Sequence, residues 1–247
     1  MKIDAAERKC HAHHEVKCSD CRLATICLPI SLQLEDINKL DNIIQRGRPV
    51  HKGDRVYHAG EEFKSVYAIR SGAIKTVRVT QEGDEQITGF YLPGEILGMD
   101  GLATNHHTNV AIALETSAIC EIPFSRLEAL SVKVPNLQRR FFQLMSKEIT
   151  QEQELITLLS KNSADQRIVS LLLSISSRNA QRGLSNVDFF LAMSRSDIGN
   201  YLGLTIETVS RVFSRLHKQN IITLDKKHVY INDLDELRRI VTTQPEK

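Results

Sequence analysis

Nine of the twelve glycines fall between Gly47 and Gly101, and none lies between Gly101 and Gly183. Glycine takes positive φ without steric cost, so glycines at short intervals mark tight turns. Between them lie short runs rich in β-branched and aromatic residues, at 65–70, 73–79, 85–92, 109–115 and 118–122. Ser71-Gly72 and Glu82-Gly83-Asp84 read as hairpin-type turns. Short strands with regular turn signals predict an antiparallel barrel or sandwich. In the last run Cys120 shares a face with Ala118 and Ile122, and a free cysteine there can simply be a small core residue.

After Ile122 the apolar period becomes helical. A short helix is expected over 124–130, and Pro135 then opens a long one, Pro being favoured in a first turn. Two stripes run along 136–160. Phe142, Met145, Ile149, Glu152, Ile156 and Leu159 are spaced 3, 4, 3, 4, 3, the a/d geometry for pairing with a parallel partner helix, the alternative being complete burial inside one chain. Phe141, Leu144, Leu155 and Leu158, about one residue displaced, form a second face that can pack on the protein's own β-domain. Glu152 is the only charge in the seam, and two such carboxylates facing each other in a dimer would repel. Asn162-Ser163-Ala164-Asp165 breaks the helix and caps the next, expected over 166–178.

Residues 194–216 have the form of a helix-turn-helix. Ser194 caps a first helix whose inward positions are Ile198 and Leu202, Gly203 supplies the turn, and Thr205 caps a second helix. That helix buries Val209, Val212, Phe213 and Leu216 and leaves Glu207, Ser210 and Arg211 on its opposite face, with Arg215 further along. Arginine can grip guanine O6 and N7 with two N–H groups, glutamate can accept from a cytosine amino group, and serine can meet a base edge. Arg215 and Lys218 are placed for phosphates. The segment 220–231 then reads as a β-hairpin wing, and 233–241 as a closing helix.

The N-terminal region carries Cys18-x2-Cys21-x5-Cys27, three thiols in a stretch with little helix or strand pattern. Thiolates at this density suit a soft metal centre, and the other cysteines available as a fourth ligand are Cys10 and Cys120. An odd count of five and a 247-residue chain that can bury a core argue against a disulfide framework. The first residues contain no apolar run that could serve as a secretory signal, and nowhere are there enough consecutive apolar residues for a membrane span. A reducing cytoplasm is therefore the expected compartment. The net charge of +2 does not announce nucleic-acid binding, and the excess of basic residues after Asn162 is small.

Taken together, these stretches resemble the FNR (fumarate and nitrate reduction) oxygen-sensing regulators of the cAMP receptor protein superfamily. The resemblance rests on the Cys18, Cys21, Cys27 spacing, Tyr67-Ala-Ile-Arg-Ser-Gly72, Gly83-Asp-Glu-Gln-Ile-Thr-Gly-Phe90, Leu114-Glu-Thr-Ser117, Cys120-Glu-Ile-Pro123 and Asp197-Ile-Gly-Asn-Tyr-Leu-Gly-Leu204, and it covers nearly the whole chain. It implies an α+β fold with an N-terminal antiparallel β-roll of cyclic-nucleotide-binding type, a long dimerisation helix and a C-terminal winged helix-turn-helix. The corresponding divisions are a cluster-binding segment 1–30, a β-roll sensor domain 31–134, a dimerisation helix 135–162 and a DNA-binding domain 163–247.

The resemblance further implies a homodimeric activator, not an enzyme, that carries one oxygen-labile 4Fe-4S cluster per subunit. Its ligands would be Cys18, Cys21, Cys27 and Cys120, with Cys10 unassigned. Oxygen would convert the cluster to a 2Fe-2S form and release dimer and DNA. Glu207, Ser210 and Arg211 would read a TTGAT-type half-site repeated as a palindrome, and the loop at Gly83 and Asp84 would touch RNA polymerase. Two departures from the wider superfamily stand out. No arginine in 94–110 is available to pair with a phosphate, so no cyclic nucleotide is expected. Ile206 stands where the cAMP receptor protein has a further guanine-reading arginine, which shifts the expected half-site.

Residue types leave other readings open. Four cysteines, with His11, His13 and His14 nearby, would hold zinc as well as iron and sulfide, in a zinc-stabilised or small-effector-binding regulator of the same superfamily. An iron–sulfur electron-transfer protein is a further alternative, against which the helix-turn-helix argues.

Overall fold

The computed structural model describes residues 16–80 and 82–242. Eight short strands make the first domain: β1 (Gln45–Arg46), β2 (Arg55–Tyr57), β3 (Ser65–Ser71), β4 (Ile74–Val79), β5 (Glu85–Tyr91), β6 (Ile96–Leu97), β7 (Val110–Ala113) and β8 (Ala118–Pro123). They form two four-stranded antiparallel sheets, in the orders β1-β8-β3-β6 and β2-β7-β4-β5. Alternation along β3 explains how one strand serves two cores. Val66 and Ala68 point to a cluster with Leu28, Leu40, Ile122, Leu127 and Leu137, whereas Ile69 points between the sheets toward Tyr57, Ile74, Leu97 and Ala111.

The two glycine turns differ in kind. The turn at Gly83 closes the β4–β5 hairpin as expected, but β3 and β4 do not pair with each other. Ser71-Gly72 is instead a corner at which the chain passes from one sheet to the other. The β7–β8 connection makes the same passage beside it, and Ser117 Oγ donates to the carbonyl of Ala73. Gly72 sits at φ +84°, and a Cβ there would lie 2.7 Å from Ser117 Cα. The period-two pattern of the flanking strands is the same for a hairpin and a corner, so the sequence could not separate them.

Three helices follow or flank the sheets. α1 (Leu34–Asp41) and α2 (Phe124–Lys133) cover the outer face of the β8–β3 sheet, and α3 (Pro135–Lys161) begins there. Leu137 of α3 is fully buried, and Phe141 and Leu144 pack on the same cluster. Asn162 ends α3 in extended backbone, and Ser163 caps α4 (Ala164–Gln181) through a reciprocal pair with Gln166.

The C-terminal domain then runs β9 (Asp188–Phe190), α5 (Arg195–Leu202), α6 (Ile206–Lys218), β10 (Ile222–Asp225), β11 (His228–Ile231) and α7 (Leu234–Thr242), with its strands in the order β10-β11-β9. Ile168, Leu172, Ile198, Leu202, Val209, Val212, Phe213 and Leu216 fill its core. The same apolar cluster includes Val77, Ile87, Phe90 and Leu92, so this domain is seated on the β4–β5 face of the first.

Gly72→Ala combines a disfavoured backbone region with a close contact to Ser117. It should lower stability by roughly 2–4 kcal/mol, measured by urea denaturation, whereas Gly83→Ala, with open space at its Cβ position, should cost less.

Candidate metal centre and nucleic-acid interface

The thiol segment is a chain of turns pinned at several points. Cys18 opens a single 3-10 turn ending at Asp20, Ala24 N–H donates to Cys21 O, and Cys27 N–H donates to Leu23 O. Leu28, 1% exposed, plugs the segment into the cluster of Leu40, Val66 and Ile122. Cys120 lies mid-strand in β8, opposite Arg46 of β1 and Ala68 of β3. Cys27 and Cys120 pack against that same apolar cluster, so a thiol from the turns and one from the sheet share a wall.

All four thiols are free. Burial pushes the Cys27 thiol up to about 12, with Cys120 and Cys21 adding repulsion and Arg140 opposing. Burial likewise raises Cys18 to about 12, with the Asp41 carboxylate adding to the rise, Arg46 opposing, and Cys27 contributing. Cys120 is raised by burial, against the pull of Arg46 and Arg70, and it senses Cys21. The four thiols therefore lie within one electrostatic neighbourhood. Among the described residues, no three His, Cys, Asp or Glu side chains are gathered closely enough to hold a single metal ion. Cys10, His11, His13 and His14 lie outside the described residues.

Two arginines unforeseen from the sequence frame this neighbourhood. Asp41 accepts from the Cys18 N–H at 2.8 Å and from Arg46 at 2.5 Å. Burial opposes ionisation of Asp41, but these two donors outweigh it and hold its carboxyl low. Arg46, whose side chain is 9% exposed, stands 3.7 Å from Cys18 Sγ, and its Nε is buried without a hydrogen-bond partner. Arg140, on α3, donates to the carbonyls of Ile26 (2.5 Å) and Cys27 (3.3 Å). The long helix thus holds the backbone of a thiol-bearing turn.

On α3 the seam faces away from the protein's own core. Phe142, Ile149 and Ile156 are 59%, 55% and 67% exposed, Met145 and Leu159 are half-buried, and Glu152 is exposed. Phe141 and Leu144 on the neighbouring stripe pack on the β-domain, and Leu158 packs on the C-terminal core. Gly83 and Asp84 sit exposed at the tip of the β4–β5 hairpin, where Asp84 N–H donates to Thr80 Oγ1.

In the C-terminal domain, Ser194 and Asp197 form a reciprocal cap on α5. Gly203 takes the left-handed conformation at φ +63°, and Leu204 N–H donates to Gly199 O at 2.8 Å. A Cβ on Gly199 would meet the Leu204 carbonyl at 2.6 Å, so the turn requires glycine at two places. Thr205 caps α6, and Glu207, Ser210 and Arg211 stand exposed on one side of it. The backbone N–H of Glu207, helped by the Thr205 hydroxyl and Arg211, holds the Glu207 carboxyl low. Arg211 donates to Thr208 Oγ1, and Arg215 is paired with Asp165 at the start of α4. A shallow surface lined by Ser210, Arg211, Ser214, Arg215 and Lys218 runs along the helix. Arg195 stacks on the Phe213 ring behind it, 3.3 Å from the ring centre.

Arg140→Ala would leave the Ile26 and Cys27 carbonyls without their charged donor, a loss of about 1.5–3 kcal/mol at most. The 18–32 segment should then exchange its amide hydrogens roughly tenfold or more faster, while the β8–β3 ladder exchanges as before.

The sequence and fold have clear relatives. Residues 166–240 match the Crp-like helix-turn-helix domain family and residues 47–133 the cyclic nucleotide-binding domain family. The chain is 49% identical over 225 residues to the transcriptional activator protein Anr of Pseudomonas protegens, covering 91% of this chain and 92% of that one. It is 46% identical over 225 residues to the fumarate and nitrate reduction regulatory protein of Escherichia coli, covering 91% and 90%. The structure of FixK2 from Bradyrhizobium japonicum superposes with a TM-score of 0.74 at 26% identity, over 82% of this chain and all of that one. Among the described residues no helix is long and apolar enough to cross a membrane. The expected α+β architecture, with its β-roll, long helix and winged helix-turn-helix, is the observed one. The chain belongs to the FNR/Anr family of Crp-type transcription regulators, and it is a DNA-binding regulator rather than an enzyme.

Proposed function

We propose that this protein is an oxygen-responsive activator of the cytoplasm, a homodimer in which each subunit carries one 4Fe-4S cluster on Cys18, Cys21, Cys27 and Cys120. The donor set fits such a group. Three free thiols from one chain of turns and a fourth from β8 supply the four-cysteine set that such a cluster takes. The Arg46 guanidinium, 3.7 Å from Cys18 Sγ and shared with Asp41, brings positive charge beside the thiols. When bound, the cluster supplies sensitivity to oxygen.

The observation that carries the reading is the convergence of Cys27 and Cys120 on one apolar wall, with Arg140 of α3 holding the carbonyls beside Cys27. A group held by both the turns and β8 would order the segment that Arg140 of α3 grips, so occupancy and the presentation of the α3 seam would favour the same state. The seam Phe142, Met145, Ile149, Glu152, Ile156 and Leu159 then pairs with its copy, and two α6 helices face DNA about 34 Å apart. Glu207, Ser210 and Arg211 read a palindromic TTGAT-type site, Arg215 takes a phosphate, and the Gly83–Asp84 tip reaches RNA polymerase. The absence of a phosphate-pairing arginine in 94–110 favours an iron–sulfur effector over a cyclic nucleotide.

Protein purified without oxygen should be brown, contain about four iron and four sulfide per chain, bind the palindrome, and bleach and release DNA in air. Cys120→Ala should abolish iron retention. A colourless, air-stable zinc protein that binds the same DNA would reject the cluster. Glu152→Ala removes one carboxylate per subunit from the paired seam and should tighten self-association of the metal-free protein by about tenfold, read by sedimentation; unchanged association would reject the facing arrangement.

A further inference from the structure

In a helix-turn-helix the first helix needs only one buried face, yet α5 uses a second. Asp197 divides its carboxylate: Oδ2 accepts from the Ser194 N–H and hydroxyl within the cap, and Oδ1 accepts from Lys75 Nζ of β4 at 2.7 Å. One turn on, Asn200 lies against β5, the free edge of its sheet. Its Oδ1 accepts from Ile87 N–H at 2.6 Å and its Nδ2 donates to Glu85 O at 2.7 Å, the pair of bonds that a neighbouring strand would make. Gln86 Nε2 returns a bond to the Asn200 carbonyl at 2.7 Å, and Tyr201 packs on Phe90 with ring centres 4.9 Å apart.

We infer that Lys75 and Asn200 are positioning residues that fix the register of the DNA-reading helix on the β-domain, and so set which half-site spacing the dimer accepts. The apolar contact of Val77, Ile87 and Phe90 with the C-terminal core supplies adhesion, but such contact is non-directional and permits sliding. Directional bonds remove that freedom. α5 is tied to α6 by the Gly203 turn, and the β-domain is tied to α3 through Leu137, Phe141 and Leu144. Position therefore passes from the seam through β5 to α6, along a second path beside the covalent hinge at Asn162–Ser163. Arg178 of α4 lends this path support, donating to Phe90 O and pairing with Glu95. One base pair inserted between half-sites turns the second by about 35° and moves it by about 3.4 Å, and a frame fixed at both ends resists that mismatch.

The inference rests on the proposed reading of a dimer on a palindrome, and the two can fail separately. Full-length protein, prepared without oxygen, is titrated at fixed salt with operators whose half-sites stand at the best spacing and at one base pair more and less. Wild type should discriminate by roughly tenfold or more. The Lys75→Met/Asn200→Ala double variant should keep its fold by circular dichroism and bind all three within about threefold of one another. Lys75→Arg, which keeps the charge, should retain the wild-type ratio. Asn200→Asp keeps the shape but repels Glu85 O, and it should relax the ratio even if the double variant does not fold. Variants that bind with the wild-type spacing ratio overturn the positioning role. A wild type that binds no palindrome at any spacing overturns the dimeric reading, and this inference with it.

Discussion

The N-terminal turns of α3, buried against the β8–β3 sheet, are the contact on which the rest of this protein depends. Leu137 is wholly removed from water, contributing on the order of 1.5–3 kcal/mol, and Phe141 and Leu144 are half-buried beside it. The same stretch projects Arg140 back to the thiol-bearing turns and carries forward the exposed stripe of Phe142, Ile149 and Ile156. The buried contact, the tie to the thiol-bearing turns and the exposed apolar stripe are therefore successive faces of one helix.

The organisation of the site follows from where low dielectric and charge meet. Thiols buried beside Leu28 and Ile122 are strongly disfavoured as anions, as the upward shifts of Cys18 and Cys27 express. Arg46 and Arg140 lie close enough to oppose those shifts. Cys18, Cys27 and Cys120 are all held toward the neutral thiol by burial, against the pull of the nearby arginines. The DNA-reading helix shows the opposite design. Its apolar side is wholly internal, and its polar side keeps Glu207, Ser210 and Arg211 in water.

Much of this was readable from the residues, for identifiable reasons. Long elements with strict periods, such as α3 and α6, announced themselves, and side-chain caps at Ser163, Ser194 and Thr205 fell where the spacing put them. The two-face reading of α3 followed from its stripes. What the chain concealed was short or non-local. β1, β2, β6 and β9 have two or three residues each, too few to show alternation. The corner at Gly72 differs from a hairpin only in which strand it meets next. Arg46, Arg140 and Lys75 look like ordinary surface cations in the sequence; Arg140 and Lys75 find partners 113 and 122 residues away, and Arg46, paired with nearby Asp41, also reaches Cys18, 28 residues back. The thiol spacing showed which residues could converge, but not the arginines that attend them.

For the phosphate contact proposed for Arg215, its pairing with Asp165 has a thermodynamic consequence. A guanidinium that already has an anion beside it gives a DNA phosphate an exchange of partners rather than a fresh neutralisation. Fewer condensed cations leave the duplex for that contact than for a solvated arginine, so it adds little to the steepness with which affinity falls as salt rises. Because the Asp165 carboxylate stands at the first turn of α4, just past the end of the long helix, such a contact would also unfasten a tie at the joint between the two domains.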